Sequence, residues 1–224
     1  GRWSIPIDEG RDKEEWQKFL SLLVKYRKRE PVNGIIVALA ADKLLESSSE
    51  TLGEDGRNIR CRIDELMGVL GFKFPVYVLV TKCDLIQGMT KFCDRIPEKG
   101  LDQPMGVINQ ALSTDVVAFQ EQAINTIDER LRSLRLLFLQ KPESEEVEPG
   151  ILLFPEEFKN LKRGLGAFTK EAFQENPYKE TPILRGLFFS SGRQEGRPFS
   201  HFLNALGLIG EKEVLPGTSK GLFL

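Results

Sequence analysis

The sequence predicts an α/β protein, in which a mostly parallel β-sheet is flanked by helices and an added helical subdomain is inserted before the last strand. Two short apolar runs, residues 34–40 and 75–80, are typical of strands that are buried on both faces. The amphipathic residues 58–70 separate them, and strand, helix and strand in this order predict a parallel βαβ unit. About a hundred residues then precede the strand-like run at residues 183–189, far more than one crossover needs.

The N-terminal part of the chain predicts a loop followed by an amphipathic helix. Residues 1–12 contain proline, glycine and charges, and Asp12 is a suitable N-cap for the helix. Its apolar face would consist of Trp16, Phe19, Leu20, Leu23 and Val24. Pro31 would end the helix after the basic residues 25–29, which we interpret as a solvated end favoured by the helix dipole. A patch that binds phosphate or a partner is the alternative.

The segments on either side of the second strand predict further elements. Residues 46–57 are polar and contain glycine, so they predict a flexible loop before the helix of residues 58–70. Residues 88–96 predict a short helix. The stretch "DQPMGVINQ", residues 102–110, fits no single structure.

The added helical subdomain is predicted at residues 95–180. A long amphipathic helix is expected from Thr114 to about Leu139, with Thr114 and Asp115 able to cap it. The acidic residues 140–150 predict an exposed linker, and residues 155–174 predict a helix that Gly164 and Gly166 weaken. This subdomain would most simply pack on its own partner helices.

The C-terminal part predicts a strand, a short helix and a tail. The strand lies in "PILRGLFFSSG", residues 182–192, and the short helix would run through Phe199, Phe202, Leu203 and Leu206. Residues 211–224 form an irregular apolar tail that would lead to a further region.

The composition excludes several classes of protein. Of the 224 residues, 41% are hydrophobic and 29% are charged, as in soluble globular proteins, and the net charge of −2 gives no reason to expect nucleic acid or an anionic membrane as a partner. Cys61, Cys83 and Cys93 have no metal-ligand spacing, so no metal site is predicted and a reducing cytoplasm is expected. His201 is the single histidine, too few for a histidine-based triad or zinc site.

Two of the predicted strands end in short polar sequences. Thr81-Lys82-Cys83-Asp84 follows the second strand and Ser190-Ser191-Gly192 follows the last. Ligands of an open parallel sheet bind beyond the carboxyl ends of its strands. Alternation along the strand would direct Lys82 and Asp84 to one side and Cys83 to the other.

These residue types suit a guanine base. The carboxylate of Asp84 can accept from the N1–H and N2–H₂ groups of guanine, the stem of Lys82 can lie along the ring, and a backbone N–H in the turn of residues 190–192 can donate to O6. P-loop GTPases hold guanine in this way. The alternative is an ordinary turn that ends the strand and caps the helix at residue 88.

Several phrases, in order along the chain, resemble the IcmF/TssM family, the large inner-membrane proteins of bacterial type VI secretion systems. They are "GR" at the start, "REPVNGIIVALAADKLL", "TKCDL", "RGLFFSSGRQEG" and "PGTSKGLFL", and the resemblance runs from Gly1 to Leu224. It implies a cytoplasmic region similar to a P-loop GTPase with an added helical bundle. Residues 1–94 and 181–210 would then be the GTPase-like domain.

The resemblance also implies a nucleotide site, although this sequence departs from the usual GTPase motifs at two points. Gly1 would be the glycine of the DxxG motif that senses the γ-phosphate, a catalytic position, and Thr81, Lys82, Asp84, Ser190, Ser191 and Gly192 would contact GTP or ATP, bound with Mg²⁺ in the intact protein. The sequence contains no G-x-x-x-x-G-K-[ST] phosphate loop, so this chain alone is expected to bind no nucleotide. Thr81 stands where GTPases usually carry asparagine.

Two functional hypotheses follow from the resemblance. In the first, the chain is a docking platform at the cytoplasmic face of the bacterial inner membrane, with membrane-core and baseplate components of the secretion system as partners. Membrane attachment would come from segments outside this chain, and residues 95–180 could dock another component. In the second, a nucleotide-hydrolysing switch powers or gates secretion. A metabolic α/β enzyme is disfavoured because no pairing of a nucleophile with a base is visible in the sequence.

Overall fold

A four-stranded mixed β-sheet with strand order β1-β2-β4-β3 organises the protein. The computed structural model describes residues 9–27, 32–97, 100, 103–140 and 149–191. The strands are β1 (Ile35–Ala40), β2 (Pro75–Thr81), β3 (Met105–Ile108) and β4 (Ile183–Phe189). β2 pairs in parallel with both β1 and β4, and β3 pairs antiparallel with β4. The predicted α/β class and the parallel pairing of the first two apolar runs are confirmed.

Seven helices accompany the sheet in the part of the chain that the structure describes. They are α1 (Glu9–Tyr26), α2 (Ala41–Glu46), α3 (Ser49–Leu70), α4 (Met89–Asp94), α5 (Val116–Gln140), α6 (Pro149–Lys159) and α7 (Leu161–Phe173). The long helix predicted from Thr114 is confirmed as α5, and the backbone N–H of Ala118 donates to the Asp115 carboxylate at 3.0 Å. None of the described helices is long and apolar enough to cross a membrane.

The helix predicted to begin at Asp12 in fact begins at Glu9, so Asp12 lies within α1 and is not its N-cap. Trp16 anchors α1 to α3, because its indole Nε1–H donates to Glu65 at 2.7 Å and its ring lies beneath the guanidinium of Arg62. Pro31, the predicted helix 199–206 and the tail 211–224 lie outside the described residues.

The prediction of a flexible loop at residues 46–57 is wrong, because α3 already begins at Ser49. The Ser48 hydroxyl accepts from the Thr51 backbone N–H at 3.1 Å and so caps the helix. Gly56 is buried against α7, where an added Cβ would lie 2.6 Å from the Phe168 carbonyl oxygen. The small residues that resemble a loop in the sequence therefore allow two helix backbones to approach closely.

The single helix predicted over residues 155–174 is two helices, α6 and α7, that meet at Asn160. The Asn160 side chain donates to the Glu157 carboxylate at 3.2 Å, and its backbone N–H bonds to the Glu157 carbonyl. Gly164, which weakens the prediction of a helix, lies against the backbone carbonyl of Leu44, and a side chain there would collide with it. Its lack of a side chain lets α7 pack on the end of α2.

β3 occupies the stretch that fits no single structure in the sequence. Asn109, directly after β3, is 4% exposed, and its side chain bonds to the backbone of Ser113 and Leu184 in three hydrogen bonds of 3.0 Å. These bonds fix the turn that leads into α5 and tie the edge strand to β4.

One hydrophobic core joins the sheet with the helices of residues 95–180. Val76, Val78 and Val80 of β2 are fully buried on the inner face of the sheet. A row of ring contacts with centroids 4.9–6.1 Å apart crosses from helix to strand, through Phe138, Phe92, Phe154, Phe158 and Phe189. The boundaries 1–94, 95–180 and 181–210 stay a prediction. The structure adds that β3, within residues 95–180, pairs with β4, and that the aromatic row contains residues from all three ranges.

The glycines of α3 supply a matched test of this packing. Gly56→Ala is expected to lower the free energy of unfolding by about 2 kcal/mol, because the new methyl group would overlap the α7 backbone. Gly68→Ala on the same helix has no atom within 4 Å of its new methyl group and should raise it by about 0.5–1 kcal/mol. Urea unfolding followed by circular dichroism measures both. Equal effects would show that α3 does not approach α7 as described.

Candidate functional site at the carboxyl edge of the sheet

The two polar strand ends lie side by side, as predicted. Thr81 is the last residue of β2, residues 83–85 form one turn of 3-10 helix, and Ser190 directly follows β4. The Ser190 N–H donates to the Val80 carbonyl at 2.7 Å, and the Cys83 N–H donates to the Ser190 carbonyl at 3.0 Å. The parallel pairing of β2 with β4 therefore continues beyond the strands and holds both ends in one place.

Asp84 and Ser191 form the central contact of this edge. The Ser191 hydroxyl donates to Asp84 Oδ1 at 2.8 Å across 107 positions of sequence. Ser191 is 4% exposed, whereas Asp84 is half-buried, so the serine orients a carboxylate that solvent reaches from the other side. A hydrogen bond to a carboxylate contributes about 1.5–3 kcal/mol when it is sheltered from water.

Lys82 leaves the strand in an uncommon backbone conformation. Its φ of 57° lies in the left-handed region, which only Lys82 and Leu112 adopt among the non-glycine residues described. A residue with a Cβ pays about 1–2 kcal/mol there. Cys83 is buried while Lys82 and Asp84 are half-exposed. The predicted separation of their side chains is therefore present, but the turn produces it rather than strand alternation.

Asp42 is a further residue of this edge that sequence reasoning missed. It lies in the first turn of α2, immediately beyond β1, and its Oδ2 is 3.3 Å from Lys82 Nζ. Its Oδ1 accepts from the Lys43 backbone N–H at 2.8 Å. The signal that could have found Asp42 was available, because it is the first charged residue after a buried parallel strand.

Two of the groups predicted to contact a ligand already form hydrogen bonds within the sheet. The Thr81 hydroxyl donates to the Leu39 carbonyl at 3.2 Å and so joins β2 to β1. The Ser190 N–H is bonded to Val80, so any N–H that this turn offers to a ligand belongs to Ser191 or a later residue. Gly1 and Gly192 lie outside the described residues.

Cys83 is a structural residue of the turn. Its side chain is 1% exposed and its Sγ lies 3.5 Å from the Val80 carbonyl. Burial raises the pKa of the Cys83 thiol to about 12, and the hydrogen bond with the Ser190 backbone opposes part of that rise. Burial also raises the pKa of Cys93, on α4, to about 12. Neither thiol is suited to act as a nucleophile near neutral pH.

A groove of about 630 Å³ lies at the opposite end of the sheet, at the C-terminal end of α3. Asp64, one of its lining residues, contacts Arg60 at 2.9 Å and Lys179 at 3.0 Å. The Arg60 guanidinium also donates to the carbonyls of Gln174 and Glu180. These contacts tie α3 to the segment before β4, so the charges of the groove have a structural role.

Comparisons with known proteins give one family and one relative. The family model for the IcmF-related N-terminal domain matches residues 9–224. The chain is 34% identical over 199 residues to the type VI secretion system component TssM1 of Pseudomonas aeruginosa. That alignment covers 87% of this chain and 18% of the relative, so the chain spans about a fifth of the length of the protein that it matches. No solved structure matches the chain.

The three cysteines should differ sharply in reactivity. With Ellman's reagent near pH 8 we expect one thiol, the exposed Cys61, to react fast in the folded protein, because Cys83 and Cys93 with pKa values near 12 carry almost no thiolate. All three should react in denaturant. Cys61→Ser is the control and should remove the fast phase, whereas fast reaction of a second thiol would contradict the described burial.

The same burial predicts a dependence of stability on pH. In the unfolded chain the Cys83 and Cys93 thiols ionise around their ordinary pKa of 9.0. In the folded protein their pKa is about 12, so they stay protonated to a higher pH. The unfolded state therefore releases protons first, and the free energy of unfolding should fall as pH rises through this window. Urea midpoints measured across it, with Cys83→Ala as comparison, test this, and a slope unchanged by the substitution would refute it.

Proposed function

This chain belongs to the IcmF-related family, and from that premise we propose that it is a docking platform of a type VI secretion system at the cytoplasmic face of the bacterial inner membrane. Its partners would be membrane-core and baseplate components of the same system. The proposal draws on the family and on one structural observation, an exposed apolar surface on a rigid pair of helices.

That surface, here named the α5–α6 patch, consists of Leu136, Leu137 and Leu152. Leu136 and Leu137 are 59% and 57% exposed, and Leu152 is 39% exposed. The two helices lie together at this point, because Arg135 Nη1 donates to the Leu152 carbonyl at 2.7 Å. Exposed apolar side chains grouped on two neighbouring helices mark interaction surfaces more often than isolated ones do.

A network of ion pairs holds the two helices beneath the α5–α6 patch. Glu156 of α6 contacts Arg135 at 2.7 Å and Arg132 at 3.2 Å. Asp128 of α5, with a side chain only 7% exposed, contacts Arg132 at 3.0 Å and Lys159 at 3.5 Å. A single exposed pair contributes about 0–1 kcal/mol, but a network with one buried member fixes the relative position of the helices. The ion pairs therefore join the two helices beside the patch.

The chemistry of the patch indicates the kind of partner surface that would cover it. A strip of leucines on a helix pair buries best against the apolar face of an amphipathic helix, with contacts at intervals of three and four residues. Arg132 and Arg135 beside the patch are already paired with Glu156, so the gain in binding would come mainly from apolar contacts.

A nucleotide switch is the second candidate, and the Asp84–Ser191 contact favours it. The edge fits a guanine base in part: one carboxylate is held in a fixed orientation, and the adjacent Lys82 is half-exposed. We propose that the three parallel strands β1, β2 and β4 belong to a P-loop-GTPase-like fold. GTP or ATP with Mg²⁺ would then be held in the intact protein by Lys82, Asp84 and Ser191, with Gly1 near the γ-phosphate.

The docking platform is tested by disrupting the α5–α6 patch. Leu136→Glu combined with Leu137→Glu should reduce recovery of the other secretion components with the tagged full-length protein by about tenfold or more, because two carboxylates would be buried at the interface. Val117→Glu is the matched control, since Val117 is 41% exposed at the opposite end of α5. Recovery that is unchanged by the double substitution would contradict the proposal.

The switch is tested by calorimetric titration of GTP, GDP and ATP into the full-length protein. If the edge binds guanine, GTP and GDP should bind more tightly than ATP. Asp84→Asn should weaken the binding of both guanine nucleotides about 10- to 100-fold, because the amide NH₂ would face one of the two N–H donors of guanine that the carboxylate accepts. Asp94→Asn, an exposed carboxylate on α4, should leave binding unchanged. The absence of heat with all three nucleotides would eliminate the switch and leave the docking platform standing.

A further inference from the structure

Among the described residues, helix α1 buries only one face against the rest of the protein. Trp16 and Leu20, one turn apart, are 8% and 3% exposed. The indole of Trp16 is held by Glu65 and Arg62 of α3. Most of the other side chains of α1 are exposed to solvent. A large part of the surface of α1 is therefore available to a partner.

An apolar stripe lies on the exposed side of α1. Phe19, Leu22 and Tyr26 are 40%, 44% and 73% exposed, and Leu23 beside them is half-buried. Residues three and four apart are neighbours on a helix, so the positions 19, 22, 23 and 26 form one continuous face. We name these four residues the α1 stripe. The Phe19 ring stacks on Trp16 with centroids 5.6 Å apart, which joins the stripe to the buried face of the helix.

Basic residues lie along both edges of the α1 stripe. Lys18 precedes Leu22 by four positions, and Lys25 follows it by three. Arg27 follows Leu23 by four, and its backbone N–H donates to the Leu23 carbonyl at 2.9 Å. The three basic side chains are exposed, and in the part of the chain that the structure describes no carboxylate pairs with them. Their charges are therefore available to an anionic partner.

The charge of this segment differs from that of the whole chain. Residues 16–27 contain three basic residues and no acidic one, whereas the chain has a net charge of −2. The sequence continues with Lys28 and Arg29, which lie outside the described residues. The low net charge, which gives no reason to expect an anionic membrane, therefore conceals a local excess of positive charge beside an apolar stripe.

This combination points to a lipid surface. Helices that lie in a membrane interface carry leucine and aromatic residues on one face and lysine or arginine beside it. The stems of Lys18 and Lys25 can lie along apolar groups while their ammonium groups reach lipid phosphates, and the ring of Tyr26 suits the headgroup level. The α5–α6 patch is different, because the charges beside it are already paired within the protein.

We propose that α1 lies flat on an anionic phospholipid bilayer, with the α1 stripe in the headgroup region and with Lys18, Lys25 and Arg27 on lipid phosphates. The neighbouring face of α1 packs on α3, so the helix would rest in the plane of the surface and not cross it. The inference rests on the proposed function only for the location of the chain beside a membrane. It adds a surface that the docking of secretion components does not use.

Sedimentation of the full chain with lipid vesicles tests the proposal. Vesicles of phosphatidylcholine with about one-third phosphatidylglycerol should bind the chain about tenfold more tightly than phosphatidylcholine alone, because each basic residue near the surface favours anionic lipid. Added salt should weaken the binding. Equal binding to both kinds of vesicle, or binding to neither, would overturn the proposal.

Matched substitutions on α1 assign the binding to the stripe. Leu22→Ser combined with Tyr26→Ser should weaken binding to the anionic vesicles about tenfold, because both side chains leave the interface. Val24→Ser is the control, since Val24 is 41% exposed but lies about 160° around the helix from both positions. Lys25→Gln should weaken binding about fivefold, whereas Lys13→Gln, on the side of Val24, should change it little. Equal effects of the stripe and control substitutions would contradict the assignment.

A fluorescence measurement covers the case in which these substitutions perturb folding. In a Cys61→Ser background, where Cys83 and Cys93 are poorly reactive, a polarity-sensitive fluorophore is attached at Leu22→Cys or at Val24→Cys. Anionic vesicles should shift the emission to shorter wavelength at position 22 and much less at position 24. Equal shifts would overturn the proposal, with circular dichroism used to show that both labelled proteins are folded.

The membrane contact and the docking platform can fail separately. Leu136→Glu combined with Leu137→Glu, which tests the docking platform, should leave binding to anionic vesicles unchanged, because neither residue belongs to α1. Loss of vesicle binding in that variant would assign the membrane contact to the α5–α6 patch and overturn the inference. Conversely, Leu22→Ser with Tyr26→Ser should abolish vesicle binding without changing which secretion components the protein recovers in detergent.

Discussion

The pairing of β2 with β4 is the constraint on which the rest of the structure depends. β2 lies between β1 and β4, and its register with β4 sets Val78 beside Leu187 and Val80 beside Phe189. About a hundred residues separate these strands, so the pairing is a non-local contact whose entropic cost must be met by the core that forms around it. The helices α5, α6 and α7 supply that core, and their aromatic side chains reach Phe189 on β4. The same pairing creates the Asp84–Ser191 contact, since no local element could bring these two residues together.

The elements that the sequence predicts well are those whose signal is local and periodic. Apolar runs identify β1, β2 and β4, and a single apolar stripe identifies α5. The helical structure of residues 49–57 could not be predicted in this way. Glycine at position 56 is explained by the close approach of α7, and that contact is known only from the folded structure. The break at Asn160 and the short edge strand β3 also depend on tertiary contacts. At the site, Lys82, Asp84 and Ser191 could be predicted from the rule that ligands bind at carboxyl ends of parallel strands. Asp42 follows from the same rule once α2 is known to begin directly beyond β1.

At the carboxyl edge, residues that are positioned to bind a ligand are held in place by contacts within the protein. Asp84 is bonded to Ser191 and Lys82 is paired with Asp42, so both charges have partners within the protein. Such pairing lowers the cost of holding polar groups beside a buried sheet. The stem of Lys82 could still lie along a base while its ammonium group stays paired with Asp42. The carboxyl edge therefore needs no ligand to hold its charged groups, which is compatible with a docking role. Asp84 and Lys82 are nevertheless placed where the proposed nucleotide switch requires them.

The position of β1 at the edge of the sheet has a consequence for handling the protein in solution. Among the described residues β1 pairs with β2 alone, and Ile35–Ala40 contains neither proline nor a charged residue. Natural sheets usually protect an edge strand with such residues, because a bare row of backbone donors and acceptors recruits further strands. In a preparation of this chain alone, edge-to-edge association through β1 is therefore the expected route to aggregation. A lysine in place of Ile36 or Ala38 would be expected to reduce this association.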